Sequence, residues 1–345
     1  MNIVVLAGGI STERQVSLSS GSMVVKALRK LGHQAILLDS FLGRQSIPQP
    51  MEEIFSSEEK IAQAVVEETE PDLEKIKASR TGDVFGSLGP HVLDICRAAH
   101  IVYMGLHGEN GENGRLQALF DVLDIKYTGS GYLGSALAMN KWITKQILLQ
   151  AGILTPKGKA YRKGQDTSDG AQFGFPCIVK PCSGGSSIGV SIVHSQAELE
   201  NALKQAFTYE QEVLIEEYIP GREFSVGILG NQPLPAIEII PKSGFYDYSH
   251  KYQKGWTQEI CPAQVDSHIA AFMQQAALQV FDALHLEVYG RIDFMLDAQG
   301  NAYCLEANTL PGMTPTSLLP QEAQAAGISY EQLCQQIIQL SLQRF

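Results

Sequence analysis

Two strand-like runs near the C-terminus hold the residues best placed for chemistry. The stretch "GRIDFMLDAQGNAYCLEAN" (290–308) reads as a β-hairpin turning at Gln299-Gly300. A short turn pairing 298 with 301 and a longer loop pairing 297 with 302 give the same register. In that register Asp293 lies opposite Glu306, and Arg291 opposite Asn308. Opposed residues share a sheet face while successive residues alternate, so these four side chains project together. Ile292, Phe294, Leu296, Tyr303, Leu305 and Ala307 are then expected in a core. Two carboxylates and an amide oxygen are hard ligands suited to Mg²⁺, which combines carboxylates with water and substrate phosphates. The arginine could neutralise an anion or stabilise an oxyanion. The competing reading is a polar face closed by an Arg–carboxylate salt bridge. Just beyond, "NTLPGMTPTSL" (308–318) adds Gly312, whose N–H could join an oxyanion hole, and Ser317.

A second candidate is "KPCSGGSSIGVS" (180–191). Lys180 ends an apolar strand, and a glycine-serine segment follows at once. Backbone N–H groups exposed by glycine can bind phosphate oxygens, and the serines add donors. An ordinary surface loop has the same composition. No G-x-x-x-x-G-K-[ST] occurs, so a P-loop has no motif. Gly129 to Gly134 matches G-x-G-x-x-G, but no acidic residue follows at dinucleotide-binding spacing. A glycine turn into a helix is the expectation there.

The elements that must position these residues are partly readable. "NIVVLAGG" (2–9), a helical spacing over 16–32 and "HQAILLD" (33–39) predict an opening β-α-β unit of an open α/β domain. A strand at 100–108 and a helix at 115–124 follow, then a turn and one helix ending at Gly152. "PCIVKP" is a strand, and 191–207 reads as strand, cap and helix. Residues 212–230 read as two strands around a Pro-Gly turn, followed by a long loop (241–263) and a helix (267–285). Residues 40–90 are charged, with no clear motif.

The totals set outer limits. A chain of 345 residues exceeds what one core usually serves, so two or three domains are expected. With a net charge of −11, a nucleic-acid partner is not expected. There is no apolar run of about 18 residues, the length of a membrane span, and no signal-peptide pattern at the start. The six cysteines form no C-x-x-C pair. Reduced thiols and a cytoplasmic location are the expectation.

Taken in order, "GGISTERQVSLSSG", "LHGENGENGRLQ", "YTGSGYLGSALAMNK", "IVKPCSGGSSIGVS", "VLIEEYIPGREFSV", "YDYSHKY", "GRIDFMLD" and "LEANTLPGMTPTSL" resemble the motifs of the D-alanine–D-alanine ligases, within the ATP-grasp family. The resemblance runs from about residue 3 to about residue 340, with 40–90 as its main gap. It implies an N-terminal open α/β (pre-ATP-grasp) domain over 1–130. A two-part ATP-grasp fold of α+β type would follow, with a central part over 131–216 and a C-terminal part with the metal site over 217–345.

The matched residues imply roles. Glu13 would hold the ammonium of the first D-alanine, with His107 nearby. Lys141 and Lys180 would contact ATP phosphates. Glu216 would read the adenine amino group beside backbone at Glu217 and Ile219, and Glu223 would bind ribose. Lys251 and Tyr252 would lie on a mobile loop over the site. Tyr252, Ser186 and Glu13 would form a latch. Arg291 and the Gly312 N–H would stabilise an oxyanion. Asp293, Glu306 and Asn308 would bind two Mg²⁺, with Mn²⁺ as a substitute. Ser317 and Leu318 would contact the second amino acid. The resemblance also implies a homodimer and a role in peptidoglycan precursor synthesis. Asn113 stands where many relatives have Asp, with little effect expected.

Overall fold

The computed structural model describes residues 1–56, 71–81, 86–242 and 256–345, except the side chains of 109 and 110. Among the described residues the strands form three sheets. In the first, β1 (Asn2–Ala7) lies between and parallel to β2 (Gln34–Asp39) and β3 (Ile101–Met104). The helix Arg14–Lys30 joins β1 to β2 as predicted. It buries Val16, Ser20, Val24 and Leu28, a helical stripe facing the sheet. Gly21 lets it sit close: a Cβ there would lie 2.8 Å from the Ala7 Cβ and 2.9 Å from Leu37.

The second sheet is antiparallel. It contains β4 (Gly158–Arg162), β5 (Cys177–Pro181), β6 (Ser191–Val193) and β7 (Glu212–Glu217), in the order β4-β7-β5-β6. The third contains β8 (Arg222–Leu229), β9 (Gln232–Pro233), β10 (Ile237–Pro241), β11 (Thr257–Ile260), β12 (Tyr289–Leu296) and β13 (Ala302–Asn308). Its path is β11-β10-β8-β12-β13, with β9 on β8. An α/β unit followed by two antiparallel α+β units is the architecture the resemblance implied.

Three sequence expectations change. The single helix expected before Gly152 is two, Tyr132–Met139 and Lys141–Gln150. Asn140 breaks it: its backbone is extended, and its side chain accepts from Ile143 N at 3.0 Å, an N-cap. Strands β7 and β8 flank the Pro-Gly turn as expected and belong to different sheets. The expected long loop at 241–263 ends in a strand, β11.

The hairpin differs as well. Its turn spans residues 298–300: Asp297 N bonds to Asn301 O at 3.0 Å, and Gly300 has φ +85°. This is a three-residue hairpin loop with a left-handed glycine. Pairing near the turn is therefore one residue off, with Leu296 opposite Ala302. A β-bulge between Asp293 and Phe294 cancels the offset and restores Asp293 opposite Glu306 and Arg291 opposite Asn308. Ala302 and Cys304 take the core positions expected of Tyr303 and Leu305, and Leu305 turns to the cleft.

Packing ties the ends of the chain together. The helix Tyr330–Leu342 contributes Leu333, Cys334, Ile337 and Ile338 to the core of the first sheet. Ala138, Leu148 and Ile153 pack on the third sheet. The second sheet keeps its own small core around Tyr161, Val179 and Leu203.

Candidate active site

A cavity of 710 Å³ is lined by residues of the second and third sheets and, from the first domain, by Glu13, Val16 and His107. Every predicted site residue among the described residues lines it: Glu13, His107, Lys141, Lys180, Ser186, Glu216, Glu217, Ile219, Glu223, Arg291, Asp293, Glu306, Asn308, Gly312, Ser317 and Leu318. Lys251 and Tyr252 lie outside the described residues.

On the hairpin, Asp293 is the hub. Arg291 donates to it twice, from Nε at 2.9 Å and Nη2 at 2.8 Å. Ser225 Oγ donates at 2.8 Å and Asn308 Nδ2 at 3.0 Å. The salt bridge that competed with a metal site is thus present, on the same residues. Glu306 faces Lys141 Nζ at 3.4 Å. Among the described residues no three His, Cys, Asp or Glu side chains cluster as a self-sufficient metal cage. Two carboxylates and an amide oxygen on a cleft wall instead fit a hard dication that takes its remaining ligands from phosphates and water.

The glycine-serine loop reaches the first domain. Ser186 Oγ donates to Glu13 Oε1 at 2.5 Å. Ser186 and Ser187 have φ +54° and +59°, a left-handed conformation that costs non-glycine residues energy and collects at functional loops. A Cβ on Gly185 would lie 2.8 Å from Glu13 Oε2; glycine there permits the contact. Lys141 Nζ donates to Gly184 O at 2.7 Å and so tethers the loop's other shoulder.

Glu216 sits between two lysines. Lys180 pairs with Oε1, and Lys145 Nζ lies 2.9 Å from Oε2. Burial opposes its ionisation, but the two ammoniums outweigh that and hold its pKa below the usual glutamate value. The Glu217 N–H is committed to Lys157 O at 2.9 Å, which leaves Tyr218 and Ile219 as the next backbone along the cavity wall.

His107 holds the loop that carries Gly312. Its Nδ1 lies 2.9 Å from Leu310 O and its Nε2 3.2 Å from Ser20 Oγ. Facing a carbonyl, Nδ1 carries the hydrogen, and burial keeps the ring's pKa below its ordinary value, favouring the neutral form. A Cβ on Gly312 would meet Ser317 Oγ at 2.9 Å.

Two residues escaped the sequence reading. Glu112 accepts from Gly108 N at 2.8 Å and Leu310 N at 3.2 Å, clasping the first domain to the Gly312 loop. Burial, then the nearby Glu13, push its pKa up to about 8. It stood in "GENGENG" but had no stated partner. Lys145 left no signal beyond a lysine on a helix.

Residues 2–130 match the model of the D-ala D-ala ligase N-terminus, and 149–339 that of the D-ala D-ala ligase C-terminus. The chain belongs to the D-alanine–D-alanine ligase family. A D-alanine–D-alanine ligase of Pediococcus pentosaceus is 47% identical over 345 residues, covering 98% of this chain and 97% of that protein. The ligase of Bacillus anthracis in complex with ATP superposes with a TM-score of 0.77 at 31% identity, covering 100% of this chain and 98% of the other. The VanG D-Ala:D-Ser ligase of Enterococcus faecalis has a TM-score of 0.76 at 28% identity, over 99% of both chains. The family fold accounts for the distribution of the site: each of the three sheets, or the loops beside it, lends one wall. Among the described residues no helix is long and apolar enough to cross a membrane.

Proposed function

We propose that this chain joins two D-alanine molecules into D-alanyl-D-alanine, converting ATP to ADP and phosphate by way of an acyl phosphate. The observation that carries this reading is the convergence on one cavity of Glu13, the two lysines and the Arg291–Asp293–Glu306–Asn308 face.

A carboxylate is a poor electrophile, and phosphorylation gives it a leaving group. Glu13 holds the ammonium of the first D-alanine, which directs that substrate's carboxylate toward the γ-phosphate. Lys141 and Lys180 offset phosphate charge. Asp293, Glu306 and Asn308 would hold Mg²⁺, with Mn²⁺ as a substitute; when bound, the ions offset phosphate charge further. The amine of the second D-alanine, placed by Ser317 and Leu318, then attacks the acyl carbon. Arg291 and the Gly312 N–H stabilise the resulting oxyanion. Phosphate leaves and the dipeptide remains.

An acyl phosphate hydrolyses if water reaches it, so the Ser186–Glu13 contact serves as part of a lid, with Tyr252 as its third member. Glu216 with backbone at Glu217 and Ile219 reads adenine, and Glu223 takes ribose. Domain limits at 130/131 and 216/217 complete the proposal; the change of sheet between β7 and β8 supports the second. A homodimer, a cytoplasmic location and a role in supplying peptidoglycan precursors belong to the same proposal.

D-alanine-dependent ADP release with Mg²⁺, with D-serine and D-lactate as competitors, tests this reading. Release that ignores D-alanine, or prefers another acid, contradicts it. Gly185→Ala probes the lid: the added Cβ forces the loop off Glu13 and weakens a charge-assisted hydrogen bond. The KM for the first D-alanine is expected to rise roughly tenfold, with the melting temperature little changed. A wild-type KM would remove the lid assignment.

A further inference from the structure

We propose that Lys145 is a positioning residue for nucleotide selection, holding Glu216 as an ionised acceptor after Lys180 has turned to phosphate. This rests on the reading of Glu216 as the adenine contact.

The two lysines around Glu216 differ in how they are held. Lys145, on the helix Lys141–Gln150, is only 2% exposed and does not line the cavity. Its Nζ faces Glu216 Oε2 at 2.9 Å, donates to Thr155 Oγ1 at 2.8 Å and to Pro156 O at 2.5 Å. Two donated hydrogen bonds thus fix the ammonium, and its charge faces Glu216 as an ion pair. Thr155 is itself fixed, because its hydroxyl donates to Cys304 O on β13 at 2.9 Å. The ammonium is therefore tied to β7, to the segment before β4 and, through Thr155, to the third sheet. Lys180 is on the cavity wall and pairs with the other oxygen of Glu216.

A triphosphate in the cleft competes with Glu216 for Lys180. If Lys180 turns away, a buried carboxylate without another counter-charge would take up a proton or hold Lys180 back. Lys145 prevents both. At the 6-position of the base an ionised Glu216 accepts from adenine's amine and cannot donate to guanine's carbonyl, so it favours adenine over guanine bound in the same pose. A protonated Glu216 could donate and would lose that preference. Lys145 lies behind Glu216 and acts through it.

The test uses Lys145→Met in the full chain, with ATP and GTP as alternative substrates. The KM for ATP is expected to rise by about tenfold or more, with kcat within about threefold of wild type. The ATP-over-GTP ratio of kcat/KM is expected to fall about tenfold. The double variant Lys145→Met, Glu216→Gln should be no worse than Glu216→Gln alone, since both changes break one unit. Equal losses with ATP and GTP, or effects that multiply in the double variant, would overturn the proposal. If Glu216→Gln loses selectivity while Lys145→Met keeps it, the role of Lys145 falls alone. If Glu216→Gln keeps wild-type selectivity, the adenine reading falls and this inference with it.

Discussion

Replacing Arg291 with alanine is expected to slow ligation by at least about a thousandfold while ATP still binds. The guanidinium is aimed by Asp293, which takes Nε and Nη2 as a fork. That aim is set before any substrate arrives, and preorganised donors act most strongly in an enclosed cleft. Removing the side chain takes away the proposed oxyanion donor and the counter-charge of Asp293 together. Asp293 keeps the hydrogen bonds from Ser225 and Asn308, so the hairpin retains its local order. Lys141 and Lys180 are untouched, which is why nucleotide binding survives. Arg291→Lys keeps the charge but loses the fork, and an intermediate rate is expected. Steady-state ligation with a separate ATP titration measures both halves. Near wild-type turnover in Arg291→Ala would remove its assigned role.

Glu13→Gln is expected to cut kcat/KM for D-alanine by roughly a hundredfold, mainly through the KM of the first substrate. The substitution is informative because Glu13 has two separable jobs. A glutamine oxygen still accepts from Ser186, so the loop contact survives. The charge that pairs with an ammonium does not. Helix stability is not at stake, because the Glu13 side chain makes no capping hydrogen bond to the helix it precedes. An unchanged KM in Glu13→Gln would move the ammonium site elsewhere in the cavity.

Much of the site could be read from residue order because its parts are short-range. Alternation along two strands brings Arg291, Asp293, Glu306 and Asn308 to one face whatever the rest of the chain does. Even so, the register survived by cancellation. The three-residue turn shifts the pairing, and the bulge beside Asp293 shifts it back. No glycine or proline marks that bulge, so nothing in "DFMLD" or "YCLEA" announces it. The cost was two core positions, Tyr303 and Leu305, which give way to Ala302 and Cys304.

What depends on distant partners was illegible. Two strands around a Pro-Gly turn are visible after residue 212, but strand partners are chosen by packing far along the chain, and that β8 pairs with β10 and β12 is not. The amphipathic pattern of Tyr330–Leu342 shows that one face is buried, and says nothing of its destination against the first sheet. Lys145 on its helix looks like any solvated lysine; its burial comes from Thr155, Pro156 and Glu216 arriving from elsewhere. Asn140 was visible as a residue, but only its extended backbone makes it a cap.

In the proposed reaction ATP activates the first D-alanine's carboxylate as an acyl phosphate before the second amine attacks. D-alanine carrying ¹⁸O in both carboxylate oxygens reports on that step. One carboxylate oxygen attacks the γ-phosphorus and departs with phosphate when the amide forms. Mass spectrometry should therefore find one ¹⁸O in each inorganic phosphate released, in step with D-alanyl-D-alanine and ADP. Dipeptide formed alongside unlabelled phosphate would contradict it.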